Sequence, residues 1–238
     1  MLSPKPWRAE AVFQLIAGVF VCLCLGVLTA AMLQKAGLTA FKAPDSFANI
    51  LLATLSFQGA TWFLIFNFLK QHQINWRVAF GLTNLNLNRT LLLAAGVLAL
   101  MLPVVLCLEQ VSVLALQKIG WPLEDQRAVT LIVNAKAGWL RGYLVFFAMV
   151  LAPVAEEFLF RGVLFPFVKQ LGYTRLAWVG VSLFFALIHF NAPTFLPLFV
   201  LALVLTWLYQ KTDCLLAPIL AHSLFNTANL IILYTQQR

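Results

Sequence analysis

The chain has 238 residues, of which 62% are hydrophobic and only 10% charged, and its mean hydropathy is +0.91. A soluble domain carries about 25% charged residues, so this chain cannot cover its own surface in water; disorder, collagen-like repeats and a nucleic-acid-binding domain are excluded with it. The net charge of +8 does not alter this. Its lysines and arginines stand singly between apolar runs, where they flank membrane spans.

A helix needs about 20 apolar residues to cross a bilayer core of ~30 Å. The first such run is Leu15 to Leu33, longer than a signal-peptide core and without a cleavage site after it, so it reads as a retained span. The second is Phe47 to Leu69 and the third Leu91 to Leu108, extending towards Leu116. A polar connection, Gln117 to Gly142, carries Lys118, Glu124, Asp125, Arg127, Lys136 and Arg141. A fourth run, Tyr143 to Val168, is apolar apart from Glu156, Glu157 and Arg161; the fifth is Leu176 to Phe190, the sixth Ala192 to Tyr209 and the seventh Leu215 to Leu233. Trp7, Trp139, Tyr143, Tyr173, Trp178, Trp207, Tyr209 and Tyr234 fall near the ends of runs, as an interfacial aromatic belt requires.

The expected fold is therefore all-α: a polytopic transmembrane bundle of about seven spans. Residues 1–142 form an N-terminal membrane region with three spans and the long polar loop, and residues 143–238 a helical core integrated with it. Cys22, Cys24, Cys107 and Cys214 form no CxxC pair and read as small buried hydrophobes. With seven spans, eight basic residues collect on the N-terminal side and seven, Arg238 among them, on the other. The expected placement is the cell (inner) membrane with a cytoplasmic N-terminus.

Ionisable side chains inside a bilayer cost roughly 2.5 to 3.5 kcal/mol each, which makes their positions the most informative in the chain. The fourth span reads Ala152-Pro-Val-Ala-Glu-Glu-Phe-Leu-Phe-Arg-Gly162, the fifth ends at Ser182-Leu-Phe-Phe-Ala-Leu-Ile-His-Phe190, and the seventh contains Ala221-His-Ser-Leu-Phe-Asn226. Glu157 and Arg161 stand at i and i+4, so they can pair on one face. Glu156, rotated by about 100°, is left uncommitted. His222 and Asn226 share the same spacing, and so do Phe185 and His189, which sets a ring against the imidazole. Glu156 is 13 residues from Lys169, His189 14 from Arg175 and His222 11 from Lys211. At 1.5 Å per residue these are about 20, 21 and 17 Å, so three helices bring an acid and two histidines to one depth. Pro153 and Pro218 each lie about one turn ahead of Glu156 and His222, where a proline frees a backbone carbonyl.

Glu-Glu-x-x-x-Arg, then Phe-x-x-x-His, then His-x-x-x-Asn, in that order on hydrophobic helices, resembles the CPBP family. This family comprises CAAX prenyl endopeptidases and bacteriocin-processing or immunity-related (Abi) intramembrane proteases. The resemblance covers about Tyr143 to Leu233 and is complete at Glu156, Glu157, Arg161, Phe185, His189, His222 and Asn226. It implies a helical bundle around a polar intramembrane active-site cavity. It also implies hydrolysis of a peptide bond in a membrane-associated protein or peptide, with the lipid bilayer as the other partner. By that analogy Glu156 and His189 activate water and His222 and Asn226 stabilise the oxyanion. A non-catalytic membrane immunity or binding protein, using the same polar helices as packing glue, is the alternative reading. A proton-coupled transporter is disfavoured because no matching pair of interrupted helices occurs in two halves.

Glu156, His189 and His222 also make a two-histidine, one-carboxylate set of the catalytic-zinc type. Yet each comes from a different helix, unlike the His-Glu-x-x-His arrangement, and the Arg161 guanidinium beside them repels a cation. The expectation is a glutamate-type peptidase without a cofactor, with Zn2+ and a metalloprotease mechanism as the alternative.

Overall fold

The computed structural model describes residues 2–83, 86–124 and 126–236. Asp125 and Arg238, counted above among the loop and flanking charges, lie outside the described residues. Among the described residues, eight helices of eight or more residues follow in order: α1 Ala9–Lys35, α2 Phe47–Gln71, α3 Leu87–Lys118, α4 Arg127–Asn134, α5 Gly138–Gln170, α6 Thr174–Leu187, α7 Ala192–Thr212 and α8 Leu216–Gln236. Six of them, all but α4 and α6, are long and apolar enough to cross a membrane. This is an all-helical, multi-pass membrane protein.

The fifth expected span is the one that differs. Helix α6 has 14 residues, about 21 Å of helix, which falls short of a ~30 Å hydrocarbon core. It ends at Leu187, so His189 stands in the turn that follows rather than inside the helix. The polar connection likewise contains a short helix, α4, with Ile132 buried against Leu144 of α5 and Leu230 of α8.

Local chemistry fixes several helix starts. Ser46 caps α2 by accepting from the Asn49 N–H at 3.3 Å, Asn86 caps α3 through the Arg89 N–H at 3.0 Å, and Asn191 caps α7 through the Thr194 N–H at 3.1 Å. Where α1 crosses α2, Gly26 faces Ser56, whose hydroxyl would stand 2.1 Å from a Cβ placed there. A larger residue would drive the two helices apart.

Helix α5 is the centre of the molecule. One core cluster joins it to α1, α2 and α6 through Val12, Ile65, Phe68, Phe158, Val163 and Phe185. A second links α3, α7 and α8 through Val105, Leu201, Leu205 and Phe225. Phe13, Phe20, Val27, Phe63 and Phe66 point outward and are more than half exposed, as lipid-facing positions must be when lipid rather than protein covers them.

Helix α5 is not a regular α-helix. It widens into π-helical turns at Phe147–Leu151 and Phe158–Leu164, on either side of the two glutamates, a device often found at functional sites. At each widening a backbone carbonyl accepts a bond from outside the helix. The Ala152 N–H reaches back to Phe147 O, so the next i+5 partner, for Ala148 O, is Pro153, which has no N–H. Asn226 Nδ2 of α8 donates to that oxygen at 2.8 Å. At the second turn Pro166 brings no N–H to the helix, and Gly162 O accepts from Trp7 Nε1 at 3.1 Å.

Trp7 belongs to an extended strap, residues 2–8, laid over the end of the bundle. The Ser3 N–H donates to Asp213 Oδ2 and Lys5 Nζ to Asp213 Oδ1, both at 3.1 Å. The Arg8 N–H donates to His72 Nε2 at 3.0 Å, while His72 Nδ1 donates to Phe68 O. The strap therefore ties the ends of α2 and α7 to the middle of α5. Asp213 lies in the α7–α8 link and has positive φ. Its carbonyl approaches Gly81 so closely that a Cβ there would sit 1.6 Å from it, and φ +70° at Gly81 independently demands glycine.

Candidate active site

Consecutive residues of α5 point Glu156 and Glu157 into different surroundings, as the 100° step per residue requires. Glu157 and Arg161 have 0% side-chain exposure and pair at 2.9 Å between Glu157 Oε1 and Arg161 Nη1. The ion pair expected from the i,i+4 spacing is present. Arg161 is fully engaged by its surroundings. Its Nε donates to Thr206 Oγ1 at 3.3 Å, its Nη2 to Ala202 O at 3.1 Å, and its Cζ lies 4.6 Å from the centre of the Phe185 ring. A guanidinium in a bilayer needs such a set of acceptors and a ring face to be tolerated.

The same Glu157 oxygen accepts a second bond, from His222 Nδ1 at 2.9 Å. A carboxylate paired with arginine offers only acceptors, so Nδ1 carries the proton and Nε2 of the neutral ring is the free nitrogen. That Nε2 faces Glu156 Oε2 at 3.9 Å, and the Glu156 side chain is 15% exposed where Glu157 is sealed. The two glutamates are thus split by environment. Glu157 is committed to orienting Arg161 and His222, and Glu156 is the accessible carboxylate.

His189 is held in a parallel way. Its Nδ1 donates to Phe185 O at 2.7 Å, and its ring lies 4.8 Å from that of Phe185. Again Nε2 is the free nitrogen. The connection before α5 is fastened across this turn: Asn191 Nδ2 donates to Glu124 O at 2.8 Å and Gln126 Nε2 to Thr194 Oγ1 at 2.9 Å. His222 and Asn226 both face α5, one towards Glu157 and the other towards Ala148 O. One amide N–H of Asn226 is therefore spent on the helix backbone and one is left.

Thr206 and Ala202 of α7 were not among the residues singled out from the sequence. A threonine in an apolar run carries little signal, because its hydroxyl can bond its own helix, and Thr206 does donate to Ala202 O at 2.8 Å. The Ala148 carbonyl has no side-chain signature at all, although Pro153 five residues on is a readable mark.

The bundle encloses a buried acid–histidine cluster in a multi-pass membrane protein. Residues 138–228 match the family model described as type II CAAX prenyl endopeptidase Rce1-like. That segment contains every residue of the three motifs, so the resemblance read from them is borne out. A curated relative, the UPF0177 protein YxdF of Lactococcus lactis subsp. lactis (strain IL1403), is 30% identical over 78 residues, 32% of this chain. The match spans 42% of that relative's length. No solved structure matches the chain.

Proposed function

We propose that this protein is an intramembrane endopeptidase that cleaves a membrane-associated protein or peptide. Glu156 and His189 take the proton of the attacking water, and Asn226 with a protonated His222 stabilises the oxyanion. The observation that carries the reading is the chain Arg161–Glu157–His222, which spends one glutamate on orientation and leaves Nε2 of His222 beside the other. A proton taken by Glu156 is at hand for the leaving amine, which balances the hydrolysis. The residual N–H of Asn226 is one donor to the tetrahedral oxyanion, and Nε2 of His222, unprotonated at rest, becomes the second by taking a proton from solvent before attack and returning it after product release.

Zinc is the alternative catalyst. Both histidines present Nε2 with Nδ1 hydrogen-bonded to an oxygen, as metal-binding histidines do. Among the described residues, however, no three His, Cys, Asp or Glu side chains stand as a metal-holding group, and Arg161 lies next to Glu157. The catalytic groups are accordingly side chains alone. Stoichiometric zinc in active purified protein, lost with activity on chelation and restored with it, would overturn that choice.

The test of function compares the membrane proteome of cells carrying the wild type with that of cells carrying Glu156→Gln. New peptide termini present only with the wild type are the expected result. Identical termini in both would refute the peptidase reading and favour a non-catalytic binding protein.

A further inference from the structure

We infer that Thr206 is a positioning residue for the site, acting through Arg161 and Glu157 on the tautomer of His222; this rests on the peptidase reading above. The hydroxyl of Thr206 is fully buried, and its proton is committed to Ala202 O at 2.8 Å, because a carbonyl can only accept. A lone pair is thereby turned to Arg161 Nε at 3.3 Å, and Ser182 Oγ stands 3.4 Å from the same oxygen. The guanidinium is planar, so fixing Nε to Thr206 and Nη2 to Ala202 O sets the direction in which Nη1 meets Glu157. Glu157 Oε1 then accepts both Nη1 and His222 Nδ1, each at 2.9 Å. The orientation of His222 is thus set from α7, a helix that carries none of the three motifs.

Loss of the acceptor on Thr206 frees the guanidinium to swing about its one remaining anchor on α7. Glu157 follows it, and His222 no longer holds its proton on Nδ1 alone. Thr206→Val keeps the shape and removes the hydroxyl, whereas Thr206→Ser restores it. The chain has three histidines, so 15N-histidine spectra of the purified full-length protein in micelles are simple, and His222→Gln assigns the signals.

In the wild type, His222 shows a protonated Nδ1 and an unprotonated Nε2. In Thr206→Val its two nitrogen signals move towards exchange-averaged values while those of His189 and His72 stay, and Thr206→Ser returns the wild-type pattern. The rate at which wild-type-specific termini appear falls about tenfold in the valine variant, the weight of one hydrogen bond to a charged group. A valine variant whose His222 signals coincide with wild type overturns the inference. So does one in which all three histidines move together, since that is general loosening. The spectra need no substrate: an inactive wild type with the expected 15N pattern would refute the peptidase reading and leave the positioning role standing.

Discussion

Glu157→Gln leaves a buried arginine without its counter-ion, and the cost follows from the contacts. Arg161 keeps two neutral acceptors, Thr206 Oγ1 and Ala202 O, and the face of Phe185. It loses its only ion pair among the described residues. Breaking a buried ion pair from one side costs about 3 to 5 kcal/mol. At about 1.4 kcal/mol per decade this lowers the folded-to-unfolded ratio by roughly 10² to 10⁴. His222 also trades an ionised acceptor for an amide oxygen. Arg161→Met should cost less, because Glu157 retains His222 as a partner that can become charged. The double variant Glu157→Gln/Arg161→Met should recover much of the stability, since an apolar replacement of both charges is often neutral, but not the activity. Denaturant titration in detergent micelles of wild type, both single variants and the double variant closes the cycle and yields the coupling energy. If Glu157→Gln unfolds at the wild-type midpoint, or the double variant is as weak as the sum of its parts, the ion pair does not hold this site together.

Glu156→Gln should abolish cleavage while the melting temperature stays within experimental error, because the side chain is partly open and makes no short contact with His222; a variant that still cleaves would remove Glu156 from the chemistry. Asn226→Ala should cost about 1 to 3 kcal/mol by orphaning the Ala148 carbonyl and also slow turnover on the order of 10² to 10³, the usual loss for one oxyanion donor. Raised KM with unchanged kcat would make Asn226 a substrate-binding residue instead. Trp7→Phe keeps the ring against Phe68 but removes the donor to the buried Gly162 O, and a loss of about 1 to 3 kcal/mol should appear in the same titration; no loss would mean that the strap adds nothing to the bundle.

The sequence was legible where polarity is costly. Charged and imidazole side chains within apolar runs stood out at Glu156, Glu157, Arg161, His189 and His222, and helical spacing was enough to pair Glu157 with Arg161. The bond from His222 to Glu157 was not legible, because it depends on how α8 is rotated against α5, and neither helix encodes that alone. His189 was expected inside a helix because apolarity runs on to Phe190. The helix nevertheless ends at Leu187, and Phe190 itself has positive φ and is exposed. The π-helical turns of α5 escaped entirely, since an i+5 bond has no composition of its own. Of the two prolines read as freeing a carbonyl, Pro153 marked a backbone oxygen, Ala148 O, that takes its partner from another helix.

The strap has a consequence for the order in which this protein is made. Its residues leave the ribosome well before the groups that receive them, Gly162 and Asp213, which follow more than 150 residues later. Until α5 is threaded and the link before α8 has emerged, Ser3, Lys5 and Trp7 have nothing to hold. Docking of the strap is therefore a closing event of assembly. A nascent chain halted before Asp213 should leave Lys5 open to amine-reactive labelling, while the finished protein shields it.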